Sequence, residues 1–225
     1  MSQQKQALII GASKGIGLAV VEQLLQHDWQ VTATFRRTQV DYQHSNLRWL
    51  ALDITQAAQR EQMLHTLKNQ RFGAVLINAG IFGPSDQQLK FAEDEALSEL
   101  FMTNAIAPIR MAESLLPLMQ PQQGVLGLTT SRLASLTENA DAAMPLYSAS
   151  KAALNMLSRA LAHQMAAQHT TLLSLHPGWV KTDMGGEGAD ITAEESARGL
   201  VTQLCAFSGA GGHHYVDYRG KTLAW

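Results

Sequence analysis

The sequence predicts a doubly wound α/β fold: a mostly parallel sheet of about seven strands with helices on both faces. Three observations predict it. Short apolar runs without polar alternation recur along the chain, as in strands buried on both faces. Stretches with helical apolar spacing separate most of them, as crossovers between parallel strands require. The first run ends in a glycine turn that opens directly onto a helical pattern.

Residues 7–10 form the first run, and Gly11-Ala12-Ser13-Lys14-Gly15-Ile16-Gly17 follows it. A helix then runs through Leu18, Val21, Leu24 and Leu25. Residues 30–35 read as the second strand and 47–52 as the third, closed by Asp53-Ile54-Thr55. A helix is expected over 56–67, with Asp53 or Thr55 as its cap. Residues 73–77 make a fourth strand, ending at Asn78-Ala79-Gly80. Residues 91–120 hold two helical stretches, with Asn104 in the second beside an apolar stripe of Ile106, Ile109 and Leu116. Pro108 and Pro117 are positioned to bend or break that segment.

Residues 124–129 read as a fifth strand, followed by Thr130 and Ser131. Pro145 pre-sets the start of a long helix through Leu154, Leu161 and Met165. Residues 171–176 form the sixth strand, ended by Pro177-Gly178. Thr192-Ala193-Glu194-Glu195 has the form of a capping segment for a helix reaching Phe207. Tyr215-Val216-Asp217 suggests a last strand. No repeat, low-complexity tract or linker interrupts the chain, so one dinucleotide-binding and catalytic domain over 1–225 is expected.

Composition narrows the function. The chain has 46% hydrophobic and 16% charged residues, enough for a substantial core. Its formal net charge is −2, and no basic tract or basic amphipathic arm suited to nucleic acid or membrane is visible. Cys205 is the only cysteine, so no intrachain disulfide forms. The first six residues carry no leader-like apolar core, and no apolar stretch is long enough to span a bilayer, so a cytoplasmic protein is expected. No His-x-x-x-His pair or ligand cluster accompanies the adjacent His213 and His214, so no metal site is expected. No Gly-x-Ser-x-Gly elbow marks a serine hydrolase.

The chemistry centres on Tyr147-Ser148-Ala149-Ser150-Lys151. A tyrosine and a lysine four positions apart on a helix share one face. An ammonium about 4 Å from a phenol, at an effective dielectric of ~20, is worth roughly 4 kcal/mol, or about three pKa units. Burial opposes that shift, so a second cation such as an oxidised nicotinamide helps close the gap. Such a phenol can exchange protons with a carbonyl or alcohol beside a nicotinamide. The same spacing also arises when a tyrosine packs on the core and a lysine snorkels beside it.

Other residues point to a dinucleotide. The glycine turn and the helix N-terminus after it can hold a pyrophosphate. Arg36 and Arg37 follow the second strand, where an NAD-selective site carries Asp or Glu. With Lys14 as a third positive group, they favour a 2′-phosphate and hence NADP(H) over NAD(H). The bland alternative for the two arginines is a solvated surface position. Asp53, beside Ile54, could reach an adenine amine as well as cap a helix. The small residues at Asn78-Ala79-Gly80 let backbone lie against a cofactor. These segments, with Ser131 and Pro177-Gly178, all follow the carboxyl ends of predicted strands, where such sheets bind ligands.

Taken in this order, these motifs resemble the short-chain dehydrogenase/reductase family, whose fold is the Rossmann type, over nearly the whole chain. Residues 177–186 and 217–225 resemble the branch of sniffer-type carbonyl reductases and C-factor (C-signal) proteins. The resemblance implies Tyr147 as general acid, with Lys151 lowering its pKa and binding the nicotinamide ribose. Ser131 would hold the substrate oxygen, with Ser135 as its rival in a long following loop. Asn104, otherwise readable as structural, would position a water relaying protons to Lys151. Val180 and Thr182 would hold the carboxamide.

The chain departs from the family at Ile10, where Thr is frequent, and at Ile77, where a second Asn is. Phe82, Leu133, Met144, Trp179 and Met184 are candidate pocket walls, and the glycine-rich 185–190 segment promises an open pocket for varied aldehydes or ketones. The expected partners are a small carbonyl or alcohol substrate and further copies of the chain, as a homodimer or homotetramer built on the long helices. The alternative is a dinucleotide-binding signalling or interaction protein of C-factor type, with catalysis secondary.

Overall fold

The computed structural model describes residues 5–38 and 40–225. The leader-free reading of the N-terminus falls partly on residues 1–4, outside the described residues. Seven strands form one sheet: β1 (Gln6–Ile10), β2 (Gln30–Phe35), β3 (Leu47–Ala51), β4 (Ala74–Ile77), β5 (Val125–Thr129), β6 (Thr171–His176) and β7 (His213–Asp217). Their order is β3-β2-β1-β4-β5-β6-β7, and every neighbouring pair is parallel. The direction of winding reverses between β1 and β4, and the loops after these two strands flank a crevice there.

Alternation along each strand feeds two cores. Leu8 and Ile10 face a core with Met63 and Leu67 of α2 (Ala57–Leu67). That core also takes Met111 and Leu115 of α4 (Ala107–Leu115) and Leu154, Leu161 and Met165 of α5 (Pro145–Ala166). Ala7 and Ile9 face the opposite core, with Val20, Val21 and Leu24 of α1 (Gly15–Gln26) and Leu200 and Leu204 of α6 (Ala193–Ala206). Both faces are covered, which explains the unbroken apolar runs. Burying each Leu or Ile side chain contributes roughly 1.5–3 kcal/mol.

Two local expectations need correction. Asp53 does not cap α2: Gln56 is the N-cap residue, with no side-chain cap bond. Asp53 Oδ1 instead accepts from the Thr55 amide (2.9 Å) and hydroxyl (2.7 Å), a short Asx turn upstream of the helix. Nor does Asn104 lie in the second of two helices. α3 (Asp94–Phe101) passes into a π-turn (Met102–Ile106), which holds Asn104 and leads into α4. Pro108 falls in the first turn of α4, directly after the π-turn, and Pro117 in the 3₁₀ turn Leu116–Leu118 that ends the segment. No helix is long and apolar enough to cross a membrane among the described residues.

Candidate active site

The glycine turn is a cradle made by close backbone packing. Gly11 has φ +80°, and a Cβ there would lie 2.7 Å from the Ala79 amide nitrogen. A Cβ on Gly17 would lie 2.2 Å from the Gly11 carbonyl oxygen. Only glycine lets the turn, the start of α1 and the loop after β4 approach this closely. Lys14 is the N-cap residue of α1, supplies no side-chain cap, and no acid occupies the first turn. The helix therefore presents amides at Gly15, Ile16 and Gly17 at its positive end.

Thr34, buried on β2, steadies this turn: its hydroxyl accepts from the Gly11 amide (3.0 Å) and its carbonyl from Ala12 (2.9 Å). This hydroxyl contact comes from the neighbouring strand, while Ile10 stands where the family often has Thr. Asn78 braces the crevice, donating to the Gly11 carbonyl (3.1 Å) and accepting from the Thr129 hydroxyl (3.1 Å). Its side chain thus ties together the ends of β1, β4 and β5.

Arg36 and Arg37 stand exposed beyond β2. Lys14 is not a free third cation: its ammonium is paired with Asp183, in the loop after β6, and the pair holds the Asp183 carboxyl below its ordinary range. That loop lies on the glycine turn, since a Cβ on Gly15 would meet Thr182 Cγ2 at 3.2 Å. Ile54 is buried and its carbonyl accepts from Arg60 (2.7 Å).

Tyr147 and Lys151 lie one turn apart on α5, with Nζ 5.8 Å from the centre of the Tyr147 ring. Lys151 is only 3% exposed and donates to the Thr129 carbonyl (2.8 Å). A Cβ on Gly80 would lie 3.4 Å from this ammonium and 3.3 Å from Asn104 Oδ1, so the three residues meet. Burial pulls the Lys151 pKa down to about 8 and pushes the Tyr147 phenol up to about 12. In this structure burial outweighs the ammonium's pull on the phenol.

Asn104 is wholly buried in its π-turn. Oδ1 accepts from the Ile81 amide (2.8 Å), while Nδ2 donates to the Ile81 carbonyl (2.8 Å) and the Ser150 hydroxyl (3.0 Å). Four residues on, Pro108 has no N–H to donate to the Asn104 carbonyl as an α-helix would. Ser131 ends the loop after β5, and its hydroxyl accepts from the Leu133 amide (3.1 Å) at the start of a short 3₁₀ turn. From behind, Tyr215 donates to the Ser131 carbonyl (2.5 Å). Ser135 is more enclosed, at 1% exposed, and its hydroxyl accepts from the Glu138 amide (3.0 Å).

The segment after β6 turns at Gly178 (φ +90°) and returns through a bridge between Val180 and Ile191. Its glycine-rich tip is not a free flap. Trp179 donates to the Gly185 carbonyl (2.8 Å), and the Thr182 hydroxyl accepts from the Gly185 amide (3.1 Å). Trp179, Met184 and Met144 remain exposed, Leu133 is half-buried, and Phe82 stacks on Tyr147 (5.7 Å between ring centres).

The sequence reading missed Thr34, Gln87 and Tyr215. Each acts here on backbone groups of distant residues, a relation with no local sequence signal.

Residues 5–191 match the profile of the short chain dehydrogenase family. The chain is 35% identical over 132 residues to C-signal of Myxococcus xanthus, covering 57% of this chain and 78% of that protein. A carbonyl reductase from Pseudomonas aeruginosa, solved in complex with NADP, is 38% identical with a TM-score of 0.91, over 99% of this chain and 100% of that one. The carbonyl reductase Sniffer of D. melanogaster is 29% identical with a TM-score of 0.88, over the same shares. The profile spans most of the length and the structural likeness nearly all of it. The chain belongs to the short-chain dehydrogenase/reductase family, in the branch of Sniffer-type carbonyl reductases and C-signal.

Proposed function

We propose that the protein is an NADP(H)-dependent oxidoreductase that reduces an aldehyde or ketone to an alcohol. The residues fit a phosphorylated dinucleotide. Gly11 and Gly17 have no room for a Cβ, α1 starts with uncapped amides, and exposed arginines rather than a carboxylate follow β2. When bound, NADPH supplies the hydride and its oxidised ring a positive charge.

The other roles belong to this chain. Tyr147 gives its phenolic proton to the substrate oxygen, and Ser131 holds that oxygen through its hydroxyl. Lys151 offsets part of the burial cost of the phenolate and binds the nicotinamide ribose. The Asn104 carbonyl, spared an α-helical donor by Pro108, positions a water that returns protons to Lys151. Ser13, Gly15, Ile16 and Gly17 take the pyrophosphate, and Arg36 and Arg37 take the 2′-phosphate. Asp53 and Ile54 border the adenine, and Ala79 and Gly80 lie along the cofactor. Pro177, Gly178, Val180 and Thr182 hold the carboxamide.

The observation that carries this reading is the buried Lys151 ammonium beside the Tyr147 ring. Its hydrogen bond goes to a neutral carbonyl, so it keeps its charge at a desolvation cost that a structural lysine has no reason to bear. NADPH consumption with a panel of aldehydes, ketones and quinones tests it, with Tyr147→Phe as control. Turnover by the wild type that falls 10²–10⁴-fold in the variant is expected, the usual span for a general acid.

The similarity to C-signal favours a second reading, a dinucleotide-binding signalling or interaction protein. Tight NADPH binding without turnover of any carbonyl would select it. We further take the chain as one domain in a cytoplasmic homodimer or homotetramer, with Met156 and Leu157 exposed on α5 available for contact.

A further inference from the structure

We propose that Gln87 is a positioning residue for Tyr147, serving as an N-cap that α5 receives through space. This rests on Tyr147 being the general acid.

α5 begins without a cap of its own. Its N-cap residue, Met144, is left-handed (φ +50°) and offers no side-chain acceptor. Pro145 has no N–H, and the Ser148 amide already donates to the Met144 carbonyl (2.8 Å). Leu146 and Tyr147 therefore carry the helix's orphan amides. Gln87 Oε1 accepts from the Tyr147 amide at 2.9 Å, from 60 positions away.

The other end of the same amide is also engaged. Nε2 donates to the Pro84 carbonyl (2.7 Å) and more weakly to the Phe82 carbonyl (3.3 Å). The orientation of the amide is unambiguous, because Tyr147 N–H can only donate and the two carbonyls can only accept. Gln87 is 6% exposed and itself left-handed (φ +54°), a conformation that costs a non-glycine residue energy and persists where surroundings enforce it.

The clamp grips both sides of the proton donor. Phe82, whose carbonyl Gln87 holds, stacks its ring on Tyr147. Ile81, one residue earlier, is held at both amide and carbonyl by Asn104. The Ser150 hydroxyl donates to the Tyr147 carbonyl (2.7 Å), so the backbone of Tyr147 is fixed on both sides. Gln87 links the loop after β4 to the first turn of α5, where an ångström of drift moves the phenol relative to Lys151 and the substrate.

Gln87→Met keeps the length but removes both hydrogen-bonding ends. We expect kcat for carbonyl reduction to fall on the order of 10- to 100-fold, the scale of a small misplacement. The Kd for NADP⁺ should stay within about twofold, because the glycine turn is held by Thr34 and Asn78 instead. Amide hydrogen exchange in the peptide over 144–151 should rise. Gln87→Glu, assayed near pH 6 where a buried carboxyl stays protonated, keeps an acceptor for Tyr147 and a donor for Pro84, and should recover most of the loss.

Wild-type kcat in Gln87→Met overturns the proposal. So does a loss matched by equal weakening of NADP⁺ binding, or one that Gln87→Glu fails to recover. A wild type that turns over no carbonyl overturns the reductase reading and, with it, the catalytic purpose given to Gln87. The exchange measurement still reads the cap on its own.

Discussion

Lys14 and Asp183, 169 positions apart, form an ion pair that joins the glycine turn to the loop after β6. Both side chains are largely exposed. Asp183 competes for the Lys14 ammonium with any cofactor phosphate that Lys14 engages. Asp183→Asn should therefore lower the Kd for NADP⁺ roughly two- to fivefold at low ionic strength, the scale of an exposed ion pair. The gain should vanish near about 0.5 M salt, where screening removes the competition. Isothermal titration of the cofactor-free protein measures this directly, and an unchanged Kd at low salt would show that Lys14 does not reach the cofactor.

On the proposed reading, Arg36 and Arg37 set cofactor choice through charge. Replacing both with alanine should weaken NADP⁺ binding on the order of 10- to 100-fold, since hydrogen bonds to charged groups are worth about 1.5–3 kcal/mol. NAD⁺ affinity should hardly move. Parallel titrations with the two nucleotides check it, and equal losses for both would assign the arginines to the fold.

The buried Lys151 ammonium costs the fold stability. Its pKa is about 8 in the folded chain against an ordinary 10.5. Between those values the unfolded chain binds more protons, so the stability of the wild type rises with pH across that window. Below about pH 8 the full burial cost of the ammonium is present. Lys151→Met should thus stabilise the cofactor-free protein by about 2 kcal/mol at pH 7, after allowing for the lost hydrogen bond to Thr129. The advantage should fade between pH 8 and 10.5. Denaturant unfolding at a series of pH values reads it, and carbonyl reduction should be lost throughout.

Tyr215 holds Ser131 from behind. Tyr215→Phe removes the donor to the Ser131 carbonyl, which also accepts from the Ala134 amide (2.9 Å) and so keeps one partner. A stability loss of about 1 kcal/mol is expected in thermal unfolding. If Ser131 holds the substrate oxygen as proposed, the KM for the carbonyl should rise more than the Kd for NADP⁺, because the glycine turn is held independently.

The strands were legible because a sheet covered on both faces leaves unbroken apolar runs, and 30–35 and 171–176 match β2 and β6 residue for residue. The glycine turn and the Tyr147–Lys151 spacing were legible because each is a local pattern. The division of 94–118 into α3, a π-turn and α4 was not, since one extra residue hardly disturbs an apolar stripe. Asp53 was misread as a cap because an Asx turn and an N-cap draw on the same residue types. Gln87 was not legible, since nothing in a sequence announces a side chain that caps a helix 60 positions away. Lys14 and Asp183 were each visible, but their pairing was not.

The π-turn at Met102–Ile106 accommodates one residue more than an α-helix would over the same stretch. Losing a single residue there would let α3 and α4 fuse into a regular helix with little harm to either. Because the extra residue is taken up as a bulge, the two flanks would keep nearly their present register, and only the side chains within the turn would be re-aimed. Asn104 would swing off Ile81 while the sheet stayed intact. A reading-frame-preserving loss of one codon in this stretch is thus a short evolutionary route from a catalyst to an inert nucleotide binder of the same shape.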